Sequence, residues 1–240
     1  MSKQLKHVDG GGKFSFGLSK IQQRNMAYKN NLSKFIKPAI PVISQEYINR
    51  RIEINNMIYF NKLCHPFFDK VWSFKLREEH CEVRDVCNGI VYYVNDENKM
   101  RFMCSHLLRQ KEIAVDTEFD NIHFYREVIA LIQISSYEYD FIIDPFVVYP
   151  FMKSMLEPIF LNENILKLVF SENDIPRFQR DFNIFFVGVL DFQAVQKDRL
   201  GKEQKQSLSV VVKDLLNVEL CKEYQNFYWI TRPLPQEALD

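Results

Sequence analysis

Asp116 and Glu118 stand one residue apart in "AVDTEFD", residues 114–120, at the end of an apolar run. In a β-strand, residues i and i+2 emerge on the same face. Like charges placed that way repel, at a cost of up to about 1 kcal/mol in the open. A divalent cation between them turns repulsion into attraction, and carboxylate oxygens are the hard ligands that Mg²⁺ and Mn²⁺ take. The competing interpretation is a strand end that carries two exposed acids by chance. The dipeptide alone does not separate the two, so the elements around it have to.

Three β-like runs follow in quick succession, over 113–119, 130–136 and 139–145. The last two are separated by too few residues for a crossover, which predicts antiparallel pairing. Upstream, "GIVYYV" (89–94) is a short strand or an extended lead-in, and "NDENKMRFMCSHLLRQ" carries a capping residue, early acids and apolar residues at helical spacing. Downstream, helices near 149–160 and 174–182 precede apolar runs at 166–171 and 184–192, and 207–216 repeats at helical spacing. A meander followed by α/β alternation predicts an α/β fold: a mixed five-stranded sheet, two later strands parallel to the first, helices on both faces.

The 240 residues are 47% hydrophobic with 21 Phe, ample for one sizeable core. The 31 basic and 31 acidic residues cancel, so a polyanion would be met locally rather than by a global field. Residues 1–50 hold nine Lys/Arg against Asp9 and Glu46, about +7, and the remainder balances it. With "GGG" at 10–12 and prolines at 38 and 41, residues 1–45 are expected to form a basic, extended arm, and 46–88 an extension packed on the core. Five cysteines without close pairing suit a reducing compartment. "CH" at 64–65 and "HC" at 80–81 lack the regular spacing of zinc ligands. The start has no signal-peptide core, and "IFFVGVL" (184–190) is too short to span a bilayer, so no membrane role is expected and the setting is nuclear or cytoplasmic.

"AVDTEFD…ALIQISSYEYDFIIDPF" resembles the first motif of the ribonuclease D family of DEDD 3′-5′ exonucleases, in particular the nuclear exosome's exonuclease subunit. "KEYQNFYWITRPLPQEALD" (222–240) is similar to the stretch before that family's third motif, and "RPLP" at 232–235 is a specific match that argues against a DNA proofreading enzyme. The resemblance covers about residues 90–240 and implies a ribonuclease H-like domain over 89–240. Within "SENDIPRFQRDFN" it points to Asp174 as the second-motif acid, although the usual preceding His is absent and the segment is shorter by about one residue. Taken alone, Asp174 could equally be a helix N-cap.

The resemblance implies two Mg²⁺ or Mn²⁺ ions acting on RNA phosphodiesters, held by Asp116, Glu118 and Asp174. It also implies single-stranded RNA 3′ ends as substrate, the RNA exosome or another RNA-processing complex as partner, and the nucleus as location. Tyr125 and Arg126, in the loop after the first motif, are candidates for RNA contact. Asp120, Asp144 and Asp191 are expected to be structural. The family's fourth carboxylate and the Tyr four residues before it would begin just after Asp240, so the 240-residue polypeptide is expected to be inactive by itself. The alternative is a catalytically dead exonuclease fold that serves as an RNA-binding or protein scaffold.

Overall fold

A computed structural model describes residues 45–47, 49–50, 68–73, 89–120, 127–171, 173–195, 206–220, 224–225 and 227–238. The chain divides into two compact units, residues 1–37 with 221–227, and residues 38–220 with 228–240. In the first, the described residues are Tyr224, Gln225 and Phe227, with the Tyr224 and Phe227 rings edge-on at 5.8 Å. All elements below belong to the second unit.

In chain order these are α1 (Phe68–Val71), β1 (Ile90–Val94), α2 (Glu97–Leu107), β2 (Glu112–Asp120), β3 (Val128–Ser135), β4 (Tyr139–Ile143), α3 (Pro145–Phe160), β5 (Leu166–Val169), α4 (Asp174–Phe182), β6 (Val189–Asp191) and α5 (Leu208–Leu216). A 3₁₀ turn at Gln236–Ala238 follows. The strands form one mixed sheet in the order β1-β4-β3-β2-β5-β6. β3 runs antiparallel to both β2 and β4, while β5 is parallel to β2 and β6 parallel to β5. The meander and the two later parallel strands are as the connector lengths require.

The sheet has six strands where five are expected. The sixth is β1, the "IVYYV" lead-in, which pairs in parallel with β4 at the sheet edge. The apolar run at 184–192 forms a strand over Val189–Asp191 only. Ile184, Phe186 and Val187 are just as buried, yet Val187 gives its N–H to the Phe160 carbonyl instead of a strand partner. Gly188, at φ +65°, turns the chain into β6. Apolar character reports burial here, not pairing. α3 starts four residues before the expected position, because Asp144 accepts the Phe146 N–H at 3.1 Å and Pro145 occupies a position where a missing N–H costs nothing.

Tyr47 and Arg50 contact the core. Tyr47 is buried with its ring stacked on Phe182 at 6.2 Å, and Arg50 donates to Asn183 Oδ1 at 2.9 Å, capping the end of α4. Residues 1–44 of the expected arm, the Cys64–His65 and His80–Cys81 pairs, and Tyr125 and Arg126 lie outside the described residues.

Candidate active site

β2 alternates as its sequence dictates. Ile113, Val115 and Thr117 are buried on one face, while Ala114 and Asp116 are exposed and Glu118 half-buried on the other. Asp116 faces Gln133 of β3 and Glu118 faces Leu131, and the register shifts immediately after Glu118. A bulge at that place bends the strand end and re-aims its side chains. Because β5 runs parallel to β2, the helix that follows it begins at the same end of the sheet. That helix is α4, and its first residue is Asp174.

Asp174 is drawn in by the helix it opens. Ile175, Phe178, Gln179, Asp181 and Phe182 are buried at helical spacing, and Asp174, 3% exposed, lies on the same face. Asn173 occupies the cap position and makes no side-chain cap bond. The N-cap interpretation of Asp174 is therefore set aside: it is the first helical residue, where a negative charge suits the helix dipole.

Thr117 links the acids. Its hydroxyl donates to Asp174 Oδ1 at 2.7 Å and its backbone N–H donates to Asp116 Oδ1 at 2.9 Å. Burial raises all three carboxyl pKa values above the ordinary range. Glu118 rises furthest, to about 8, through burial and then through the charges of Asp116 and Asp174. Asp174 reaches about 6 by burial, opposed by the Thr117 hydroxyl and Arg177 and reinforced by Asp116. Asp116 keeps contact with solvent, yet protein crowds it closely enough to raise its pKa, with the Thr117 N–H lowering it. The three acids thus lie within electrostatic reach of each other. No cation among the described residues figures in the influences on Asp116 or Glu118. Among the described residues, no group of three or more acidic, His or Cys side chains closes around one point as a ready-made metal cage.

The surroundings are built from ion pairs. Arg177, one turn after Asp174, lies 3.5 Å from Asp174 Oδ1 and donates to both oxygens of Glu127, at 2.9 and 3.2 Å. Its guanidinium covers the Phe119 ring at 3.8 Å. Arg180 grips Asp181 at 2.6 and 2.8 Å, and Asp181 accepts the Ile129 N–H at 3.1 Å, which ties α4 to the start of β3. Arg232, from "RPLP", donates to Asp144 at 2.5 and 3.1 Å and to the Ala130 carbonyl at 2.8 Å. It also donates to the carbonyls of Trp229 at 2.5 Å and Thr231 at 3.0 Å, so it pins the segment that carries Trp229.

Of the acids expected to be structural, Asp144 caps α3 and pairs with Arg232 and with the Tyr93 hydroxyl at 2.9 Å, and Asp191 accepts the Gln193 N–H at 2.8 Å. Asp120 is buried at the end of β2. Thr117, Arg177 and Glu127 belong to the site without being singled out by the sequence. Thr117 lies on the opposite face from its acidic neighbours, and only the spacing of Arg177 from Asp174, three residues on a helix, could have signalled the ion pair.

A family model described as 3′-5′ exonuclease matches residues 91–240. The chain belongs to the 3′-5′ exonuclease family. This exonuclease domain is similar to Protein RRP6-like 3 of Arabidopsis thaliana, with 34% identity over 148 residues that span 61% of the chain and 16% of that protein. It is similar to the exosome complex exonuclease RRP6 of Saccharomyces cerevisiae, with 29% identity over 71% of the chain and 24% of that protein. Its fold is similar to the catalytic core of RRP6 from Trypanosoma brucei, with TM-score 0.59 and 30% identity over 65% of this chain and 43% of that one. The mixed sheet with flanking helices is the ribonuclease H-like arrangement of these exonucleases. The chain spans less than a quarter of the length of the curated relatives named here.

Proposed function

We propose that this exonuclease domain is a 3′-5′ exoribonuclease of the exosome-exonuclease type, hydrolysing RNA phosphodiesters with Mg²⁺ or Mn²⁺ held by Asp116, Glu118 and Asp174. The observation that carries the proposal is that Thr117 bonds both Asp116 and Asp174 at the end of β2, one residue from Glu118, with no cation among the described residues that shift Asp116 or Glu118. The donor chemistry fits: hard, charged oxygens that repel each other are the set a small dication stabilises. When bound, such ions would lower the pKa of a water and offset charge on the leaving oxygen. The chain's own groups then do the positioning. Thr117 holds Asp174 and Asp116 in fixed orientation, and Arg232 fixes the segment that carries Trp229.

Three carboxylates are a sparse set for two dications, and we infer that the 240 residues alone turn RNA over at a negligible rate while binding an ion and single-stranded RNA. Relatives named as exosome components support the same setting for the whole protein, RNA processing or decay in the nucleus with the exosome as partner. No helix among the described residues is long and apolar enough to cross a membrane. Tyr125 and Arg126 remain proposed RNA contacts.

The test uses a 5′-fluorescein single-stranded oligoribonucleotide and a chain extended by a segment that carries Tyr-x-x-x-Asp. The extended chain is expected to shorten the RNA one nucleotide at a time from its 3′ end with Mn²⁺, and to stop on Asp116→Asn. Trimming that survives EDTA, or that survives Asp116→Asn, would overturn the proposal. RNA binding with no ion bound would make the domain a scaffold instead.

A further inference from the structure

Among the described residues, Arg177 is a strongly placed charge beside the carboxylates that the proposed reaction does not use. It sits a single helical turn after Asp174, with Nη1 3.5 Å from Asp174 Oδ1. That same oxygen already accepts the Thr117 hydroxyl at 2.7 Å. The guanidinium is not free to swing away. Glu127 holds it by two nearly parallel bonds at 2.9 and 3.2 Å, the Phe119 ring supports its flat face at 3.8 Å, and its side chain is 20% exposed. A planar, weakly hydrated, permanently charged group with a bidentate carboxylate anchor keeps its position better than an ammonium would. Arg180, the other arginine on this helix face, is gripped by Asp181 and reaches Glu127 at 3.5 Å, while Arg177 is shared between Glu127 and Asp174.

We propose that Arg177 is a tethered cation that blocks a second divalent ion on the Asp174 side, so that the cluster of Asp116, Glu118 and Asp174 holds one divalent ion instead of two. A second dication at Asp174 would meet a fixed positive charge 3.5 Å from a carboxylate oxygen that already accepts the Thr117 hydroxyl. The inference deepens the metal-dependent function proposed above and rests on it. Arg177 is a positioning residue: it contacts Asp174, not the reacting atoms.

Mn²⁺ titration of the 240-residue chain, followed by the electron paramagnetic resonance signal of free Mn²⁺, counts the ions. The wild-type chain is expected to bind one ion that Asp116→Asn removes. Arg177→Gln is expected to bind two, and Arg177→Lys, which keeps the charge, one. If circular dichroism shows that Arg177→Gln has lost its fold, Arg177→Met, which keeps the stem against Phe119, is measured in its place with the same expectation. Two equally tight ions in the wild-type chain, or a single ion in the charge-free variant, overturns the inference while leaving the metal-dependent function intact. An unchanged ion count in Asp116→Asn sinks the metal reading itself.

Discussion

Two sets of acids stand at the ends of strands and the starts of helices and differ in what surrounds them. At Asp144, 1% exposed, every partner is a donor: the Tyr93 hydroxyl, the Phe146 N–H and the Arg232 guanidinium. At Asp116, Glu118 and Asp174 the partners include one another, and burial and mutual repulsion drive Glu118 to about 8. The first arrangement is complete as it stands and holds the structure together. The second is held in a high-energy state by the fold and gains by taking up protons or a dication. The residue type is the same in both, and the count of donors around each carboxylate separates structure from chemistry.

The largest expected effect tests the complete cluster. Asp144→Ala leaves the Arg232 guanidinium, 12% exposed, without its carboxylate, and removes the α3 cap. Breaking a buried pair from one side costs about 3–5 kcal/mol, so urea denaturation is expected to show a loss of that size. A loss under 1 kcal/mol would erase the contrast between the clusters.

Asp116→Asn is expected to leave stability in EDTA unchanged or higher, and to weaken Mn²⁺ binding by at least about 100-fold, more than loss of a residue supporting a metal ligand. Calorimetric titration reads the affinity and a thermal melt the stability. An Asp116→Asn chain that melts earlier in EDTA would place this acid with Asp144.

Glu118 gives the comparison a pH signature. Its folded value of about 8 lies above the ordinary 4.5, so the folded state binds the extra proton. Stability present below about pH 4.5 is therefore lost as pH climbs through about 8. In EDTA, the wild-type melting midpoint is expected to fall more between pH 5 and pH 9 than that of Glu118→Gln, by several degrees at about 2–4 °C per kcal/mol. Divalent ions are expected to shrink that difference, because they favour the charged form. Parallel pH profiles for the two chains would remove Glu118 from the coupled set.

The smallest effect concerns a buried cation. Lys167 is fully buried in β5, donates to the Asn162 carbonyl at 2.6 Å, and burial lowers its pKa to about 7. Here the folded value lies below the ordinary 10.5, so the penalty of a buried charge is complete below pH 7 and disappears between about 7 and 10.5. Lys167→Met is expected to raise stability by about 1 kcal/mol at pH 6, with the gain fading at higher pH. A destabilised Lys167→Met would show that the single carbonyl contact outweighs desolvation.

Much was legible in the residues themselves. Strand and helix periods, connector lengths and the Asp-x-Glu spacing are local properties, set by backbone geometry that neighbouring residues share. They account for the meander, the later parallel strands, the shared face of Asp116 and Glu118, and the start of α4 at Asp174. Contacts between distant segments are not local, and only the folded chain decides them. Nothing near Arg232 in sequence points to Asp144, 88 residues away, nor does Thr117 point to Asp174, 57 residues away. The narrow β6 and the extra strand β1 have the same origin, since pairing depends on which edge is open when the sheet assembles, while apolar character depends only on burial. The charge state of the three acids likewise belongs to the fold: each residue type carries its ordinary pKa, and proximity across strands and helix moves it.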